Sequence, residues 1–175
     1  MLNQDLSGGI TLAAPNDIPD IMRLLAECIK DMDKNGIHQW GDFYPTIDVI
    51  TEDVRNKSMY CVRHESQCIG IITLSEKQNA QYEQVRWLTN FGRVLIVYRL
   101  AVHPKWQRQG IARRLMDFAE QFAVENQYNS IRLDAYSGNP RAVRFYERRG
   151  YEEAGQVYFP KRNMPFHCFE KSLEQ

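Results

Sequence analysis

The chain has 175 residues, with 22 basic and 22 acidic side chains and no formal net charge. A single domain of this length buries a full hydrophobic core, and the charge balance gives no bulk attraction for nucleic acid or a membrane. Apolar residues make up 43% and charged residues 25%, the composition of an ordinary globular protein. No apolar run approaches the length of a membrane-spanning helix, and the N-terminus lacks a basic-then-apolar signal pattern. Cys28, Cys61, Cys68 and Cys168 are widely spaced with no C-x-x-C pair, so reduced cysteines of a cytoplasmic protein are expected, with neither disulfides nor a metal site. There is no internal repeat and no low-complexity tract.

Taken in order, residues 1–9 look like a loose leader to a single domain spanning 1–175, and residues 10–14 read as a first strand. Asn16 or Asp17 can cap a helix with Pro19 in its first turn, and Ile18, Ile21, Met22, Leu25 and Ile29 mark its apolar face up to Asn35-Gly36. An irregular aromatic stretch over 37–45 precedes a short helix around 47–56. Residues 59–63 and 68–74 predict a hairpin about the polar turn 64–67. Residues 78–90 are polar with Tyr82 and Trp87 embedded, an irregular excursion. Residues 94–102 are almost unbroken apolar and β-branched, a strand buried on both faces. His103-Pro104 ends its pairing, because proline has no N–H to donate. Ile111, Leu115, Phe118 and Phe122 then recur at spacings of four, three and four, one face of a helix with its charges turned outward. A strand over 130–135, a turn at Gly138-Asn139-Pro140, a helix closed by Gly150 and strands over 156–159 and 166–171 complete the chain. This order predicts an α/β fold with a central mixed sheet and helices on both faces.

Between the buried strand and the helix lies Gln107-Arg108-Gln109-Gly110-Ile111-Ala112. A helix N-terminus carries unpaired N–H groups and about half a positive charge, so it suits a phosphate. Gly110 lets a backbone approach closely, Ala112 leaves the first turn uncrowded, and Lys105, Arg108 and Arg113 add positive charge nearby. Neither G-x-x-x-x-G-K-[ST] nor G-x-G-x-x-G occurs. The pattern present is [QR]-x-x-G-x-[GA] after a buried strand.

Downstream, Asn139 to Tyr151 has the form N-x-x-A-x-x-x-Y-x-x-x-G-[FY], fixed by Asn139, Ala142, Tyr146, Gly150 and Tyr151. By itself this is also an amphipathic helix with Phe145 and Tyr146 in the core and Gly150 as C-cap. With both motifs present in this order, one strand between them, the chain resembles the GNAT superfamily of N-acetyltransferases over residues 10–173. The resemblance implies a GNAT-like acyl-CoA N-acyltransferase fold and acetyl-CoA as co-substrate, its pyrophosphate on Gln107, Arg108, Gln109, Gly110, Ile111 and Ala112. It implies that Asn139 contacts the pantetheine arm or its phosphate region, that Ala142 leaves room for the cofactor, and that the Tyr146 hydroxyl lies near the thioester sulfur. It leaves a homodimer open and involves no metal.

The reaction so implied is attack of a neutral amine on the thioester carbonyl through a tetrahedral intermediate. The oxyanion needs preorganised donors, and the resemblance assigns a backbone N–H among Leu100, Ala101 and Val102. The leaving thiolate needs a proton, for which Tyr146 is the general acid. Glu83 is the candidate base, with Glu76, Asp134 and Tyr136 as alternatives, and His103 reads as a strand-end residue. Trp40, Phe43, Tyr44, Tyr82, Trp87, Tyr158 and Phe159 supply aromatics for an acceptor pocket, the core or a dimer contact. The amine acceptor is not specified by any charge cluster. A non-catalytic acyl-CoA-binding sensor is the alternative, and an unrelated α/β nucleotide-binding protein the third reading.

Overall fold

The periodicities of the sequence become seven strands and four helices in the computed structural model, which describes residues 9–173. The expected leader lies outside the described residues except for Gly9. The strands are β1 (Ile10–Leu12), β2 (Met59–His64), β3 (Gln67–Ser75), β4 (Val94–Val102), β5 (Ser130–Tyr136), β6 (Glu152–Val157) and β7 (Phe166–Ser172). The helices are α1 (Ile18–Lys34), α2 (Ile47–Arg55), α3 (Ile111–Glu125) and α4 (Pro140–Arg148), with short 3-10 turns at Pro15–Asp17, Ala80–Gln84 and Pro104–Trp106. The sheet is mixed, in the order β1-β2-β3-β4-β5-β7-β6. The described residues group into two compact units. The first runs up to Lys34 and takes in Trp40–Thr73 and Arg99–Phe118, and the second comprises Asn35–Gln39, Leu74–Tyr98 and the chain from Ala119 onward.

In the first unit β1, β2 and β3 form an antiparallel meander. The β2–β3 turn is tighter than the predicted four residues. Glu65, at φ +53°, and Ser66 turn the chain while His64 pairs with Gln67. Ile71, Met59 and Cys61 pack with Ile21, Leu24, Leu25 and Cys28 of α1 and with Ile50 and Val54 of α2. Gly70 presents the opposite face to α3, where a Cβ would stand 3.0 Å from the Ile111 side chain and 3.3 Å from that of Leu115. A side chain at this position would require Ile111 and Leu115 to give by a few tenths of an ångström. Asp17 does not cap α1 forward. Its carboxylate accepts from the Ala14 N–H at 2.7 Å and pairs with Arg63 at 2.6 Å.

The apolar stripe of α3 also differs from the expectation. Ile111, Leu115, Met116, Ala119 and Ala123 are fully buried, whereas Phe118 and Phe122 are only half-buried. The buried positions Ala119 and Ala123 are small, and the larger rings go to the flanks, Phe118 against Tyr60 and Phe122 against Tyr128.

In the second unit the parallel β4–β5 ladder covers Val94–Ile96 with Ser130–Arg132, and β7 pairs antiparallel with both β5 and β6. Strand β6 begins four residues earlier than predicted. It pairs with β7 alone and exposes Glu152, Glu153 and Gln156, so as an edge strand it needs no regular apolar alternation. One sheet face, carrying Tyr136, Phe166 and Cys168, is covered by Tyr82, Val85 and Trp87 of the excursion, which is irregular as expected apart from its 3-10 turn. The other carries Phe169 against Tyr146 of α4.

The excursion is anchored by charge. Arg132 donates to Glu170 at 3.0 Å, to Gln78 at 2.9 Å and to the Thr89 carbonyl at 2.6 Å, with its guanidinium 4.4 Å from the Trp87 ring centre. Glu170, with no exposure at all, accepts the N–H groups of Leu88 and Thr89. A buried pair is tolerated when its remaining hydrogen-bonding capacity is met in this way. Tyr82, 1% exposed, adds a 2.7 Å hydrogen bond from its hydroxyl to Asp134. Tyr82→Phe is expected to lower the unfolding free energy by about 2 kcal/mol, the range for a hydrogen bond to a charged group. Urea denaturation checks this, and an unchanged midpoint would mean that other contacts hold the excursion.

Burial also sets an alkaline limit. It pushes the thiols of Cys28 and Cys168 up to about 12 and raises the phenols of Tyr82, Tyr146 and Tyr151. A group with a raised folded-state value holds its proton where the unfolded chain has lost it. Its stabilisation is complete below the unfolded thiol value of about 8.5 and is lost as pH climbs towards the folded one. The melting temperature is therefore expected to be at least about 5 °C lower at pH 10.5 than at pH 8. A flat profile would contradict the burial of these groups.

Candidate active site

The first unit carries Leu100, Ala101 and Val102 at the end of β4 and the loop from Gln107 to Ala112. Local hydrogen bonds shape the turn between them. The His103 N–H donates to the Ile69 carbonyl at 2.9 Å, its ring nitrogen accepts from the Lys105 N–H at 3.2 Å, and the ring is buried, as a strand-end residue should be. Gln107 donates from Nε2 to the Val102 carbonyl at 3.1 Å, tying the loop back to the strand, and Gln109 donates to the Lys105 carbonyl at 3.0 Å. Arg108 and Gly110 adopt φ of +61° and +83°, and α3 starts at Ile111. A Cβ built on Gly110 meets nothing within 4 Å, so the glycine faces open space. No acidic residue occupies the first turn of α3, and Arg108 and Arg113 are exposed. The positive end of this helix is thus left for an anion.

Just upstream, β4 breaks its pleat. Arg99 has φ +49°, a left-handed conformation costing a residue with a side chain roughly 1–2 kcal/mol. Its guanidinium donates from Nε and Nη2 to both carboxylate oxygens of Asp53, at 2.5 and 2.7 Å, and from Nη1 to the Tyr44 hydroxyl at 2.7 Å. Asp53, on α2, also accepts from the Thr73 hydroxyl at 3.0 Å, and both side chains of the ion pair are only 11% exposed. This cluster did not emerge from the motif reading. Its signal was a lone arginine inside an otherwise apolar strand, which must find a partner if buried.

The second unit carries Asn139, Ala142 and Tyr146 on α4. Asn139 is the N-cap, its Oδ1 accepting from the Ala142 N–H at 3.2 Å, with Pro140 following in the first turn. Ala142 is half-buried. Tyr146 is 8% exposed, its ring edge-on to Tyr151 at 6.0 Å and tilted on Phe169 at 6.2 Å. Its hydroxyl has no hydrogen-bond partner among the described residues. Burial raises its pKa above the usual phenol value, and the nearby Asp134 carboxylate adds to this.

Among the candidate bases, Glu83 is exposed on the Ala80–Gln84 turn. Glu76 is committed on the surface to Arg93 and to the Tyr128 hydroxyl. Asp134 accepts from buried Tyr82, and Tyr136 is buried with its hydroxyl 3.4 Å from Asn163. Of the aromatics proposed for an acceptor, Trp40 packs on the first unit's core and Tyr82, Trp87 and Phe159 on the second's, Tyr44 binds Arg99, Phe43 is half-buried and Tyr158 is 65% exposed. Among the described residues no group of three or more His, Cys, Asp or Glu side chains converges as a metal site would require, and no helix is long and apolar enough to cross a membrane.

Comparison with known proteins supports this fold. The chain is 23% identical over 164 residues to an uncharacterised N-acetyltransferase, YesJ, of Bacillus subtilis (strain 168), covering 92% of this chain and 88% of that protein. The fold is similar to a GNAT-family acetyltransferase from Streptococcus agalactiae 2603, with TM-score 0.79 and 23% identity over 95% of this chain and 96% of that one. It is also similar to the ribosomal-protein-S18-alanine N-acetyltransferase from Escherichia coli, with TM-score 0.70 and 13% identity over 96% and 95% of the two chains. The profile of the Acetyltransferase (GNAT) family matches residues 21–151. Because that match runs from α1 through Tyr151 and takes in both motifs, the chain belongs to the GNAT family of acetyltransferases.

Proposed function

We propose that the protein transfers an acetyl group from acetyl-CoA to a primary amine of a small molecule or of a protein or peptide, by direct attack through a tetrahedral intermediate. The family implies acyl transfer from acetyl-CoA, and the roles follow from chemistry this chain can supply. The pyrophosphate takes the open, cation-flanked start of α3 at Gln107, Arg108, Gln109, Gly110, Ile111 and Ala112. Asn139 and Ala142 border the pantetheine arm. A backbone N–H among Leu100, Ala101 and Val102 stabilises the oxyanion. Tyr146 protonates the leaving thiolate and the exposed Glu83 accepts the amine's proton. Residues 1–175 act as a single catalytic domain. The free, buried cysteines suit the reducing cytoplasm.

The observation that carries this reading is the Tyr146 hydroxyl. Held by aromatic packing, the Tyr146 ring presents an accessible hydroxyl that bonds to no described residue, so its donor is available to a ligand. The acceptor is a primary amine of unassigned identity. One structural neighbour bears the name of a ribosomal-protein-S18-alanine N-acetyltransferase, so a protein amine is within the scaffold's reach. The test is calorimetry with acetyl-CoA followed by thiol detection of CoA release over a panel of arylalkylamines, polyamines and peptides with free N-termini. Micromolar binding with amine-dependent release supports the proposal. Binding with no release from any amine points to an acyl-CoA-holding module, and no binding overturns both.

A further inference from the structure

We propose that Arg99, gripped by Asp53 and Tyr44, is a positioning residue that fixes the break in β4 and thereby aims the Leu100–Val102 backbone at the acetyl carbonyl. The proposal rests on the acetyl-transfer reading above. Among the described residues Arg99 is the one left-handed residue inside a strand. Glycine would occupy that conformation without steric cost, so an arginine there must contribute through its side chain. That side chain places three donors on two partners, Asp53 of α2 and Tyr44 of the preceding loop, and Asp53 is itself steadied by Thr73.

The next residues are held from the other end. Ala101 is buried in the core built by α1 and α2, and the Val102 carbonyl accepts from the Cys28 thiol at 3.4 Å and from Gln107 at 3.1 Å. The three-residue segment expected to supply the oxyanion donor is therefore pinned on both sides, upstream by the Arg99 clamp and downstream by α1 and the loop. A donor lowers a barrier only when it does not have to reorganise as charge develops, and such rigidity comes from the residues supporting it. Arginine suits the task because its fork matches a carboxylate in two parallel hydrogen bonds.

The test reads the carbonyl directly. Acetyl-CoA labelled with carbon-13 at the thioester carbonyl is bound to wild type and to the Asp53→Asn, Tyr44→Phe and Arg99→Gly variants, and the carbonyl stretch is recorded by isotope-edited infrared spectroscopy. Wild type is expected to lower the stretch relative to buffer, as a polarising donor does. Asp53→Asn and Arg99→Gly should lose most of that shift, and Tyr44→Phe, which leaves the ion pair in place, part of it. Turnover at saturating acetyl-CoA should fall about tenfold or more in the first two. Affinity for CoA, which has no carbonyl to polarise, should stay within about twofold. Should Asp53→Asn fail to fold, the other two variants carry the test. Variants that keep the full wild-type shift would overturn the clamp and leave acetyl transfer standing. Wild-type protein that binds no acetyl-CoA would overturn both.

Discussion

Replacing Tyr146 by phenylalanine is expected to lower kcat by about a hundredfold, the lower range for loss of a positioned proton donor, while acetyl-CoA affinity stays within about twofold. The separation follows from the packing. The Tyr146 ring is held by Phe145, Tyr151 and Phe169, and phenylalanine keeps all of those contacts. Its hydroxyl bonds to no described residue, so removing it leaves no orphaned partner, and the melting temperature should barely move. A loss of turnover in this variant therefore reports chemistry and not folding. The raised pKa adds a second signature. The hydroxyl is protonated throughout the neutral range, so the deficit should be constant from pH 6 to 9, measured with the amine that gives the fastest CoA release. Equal turnover in the variant would reduce Tyr146 to a packing residue.

The parts of the molecule legible in the sequence are those where one local rule decides. Strand β4 occupies the predicted residues because an almost unbroken apolar and β-branched run favours a strand, although Val94, Tyr98, Arg99 and Leu100 are only half-buried. The loop and the start of α3 were readable because Gly110 and the amphipathic helix behind it carry opposite signals side by side. Strand β6 was misplaced because an edge strand with exposed Glu152, Glu153 and Gln156 carries little alternation, and its register shift between Glu153 and Gly155 breaks what there is. On α3 the spacing of large residues drew attention to Phe118 and Phe122, while the helix buries the small Ala119 and Ala123. Close packing favours small side chains where backbones approach, which a count of large apolar residues overlooks.

The polar clusters were hidden for a different reason. Arg99 meets Asp53 across 46 residues and Arg132 meets Glu170 across 38, separations at which sequence periodicity says nothing. What could be seen was each half alone. A charged residue within β4, β5 or β7 is out of place until its partner is known, and it signals a pairing without saying which. The site motifs had the reverse property. They are local in sequence, so their residues can be named, yet the clamp behind them is non-local and forms only on folding.

Gly110→Glu is expected to abolish acetyl-CoA binding, and Gly110→Ala shows why. At φ +83° any side chain strains the backbone, by roughly 1–2 kcal/mol. A Cβ there collides with nothing in the protein, so alanine introduces that strain and little else. The alanine variant should fold with a modestly lower melting temperature and bind acetyl-CoA up to about tenfold more weakly. Glutamate adds a carboxylate where the pyrophosphate is proposed to sit. At about 4 Å and an effective dielectric near 20, two like charges repel by about 4 kcal/mol, or about a thousandfold in affinity. CoA should be lost as completely as acetyl-CoA, because the pyrophosphate is common to both and the acetyl group plays no part at this end. Raising the salt concentration to 1 M should weaken wild-type binding while recovering part of the glutamate variant's loss relative to alanine, since the Debye length shrinks to about 3 Å. Calorimetry on the three proteins decides the matter. A glutamate variant that binds within about threefold of the alanine variant would leave the helix start as a turn-forming glycine and remove the loop from the cofactor site.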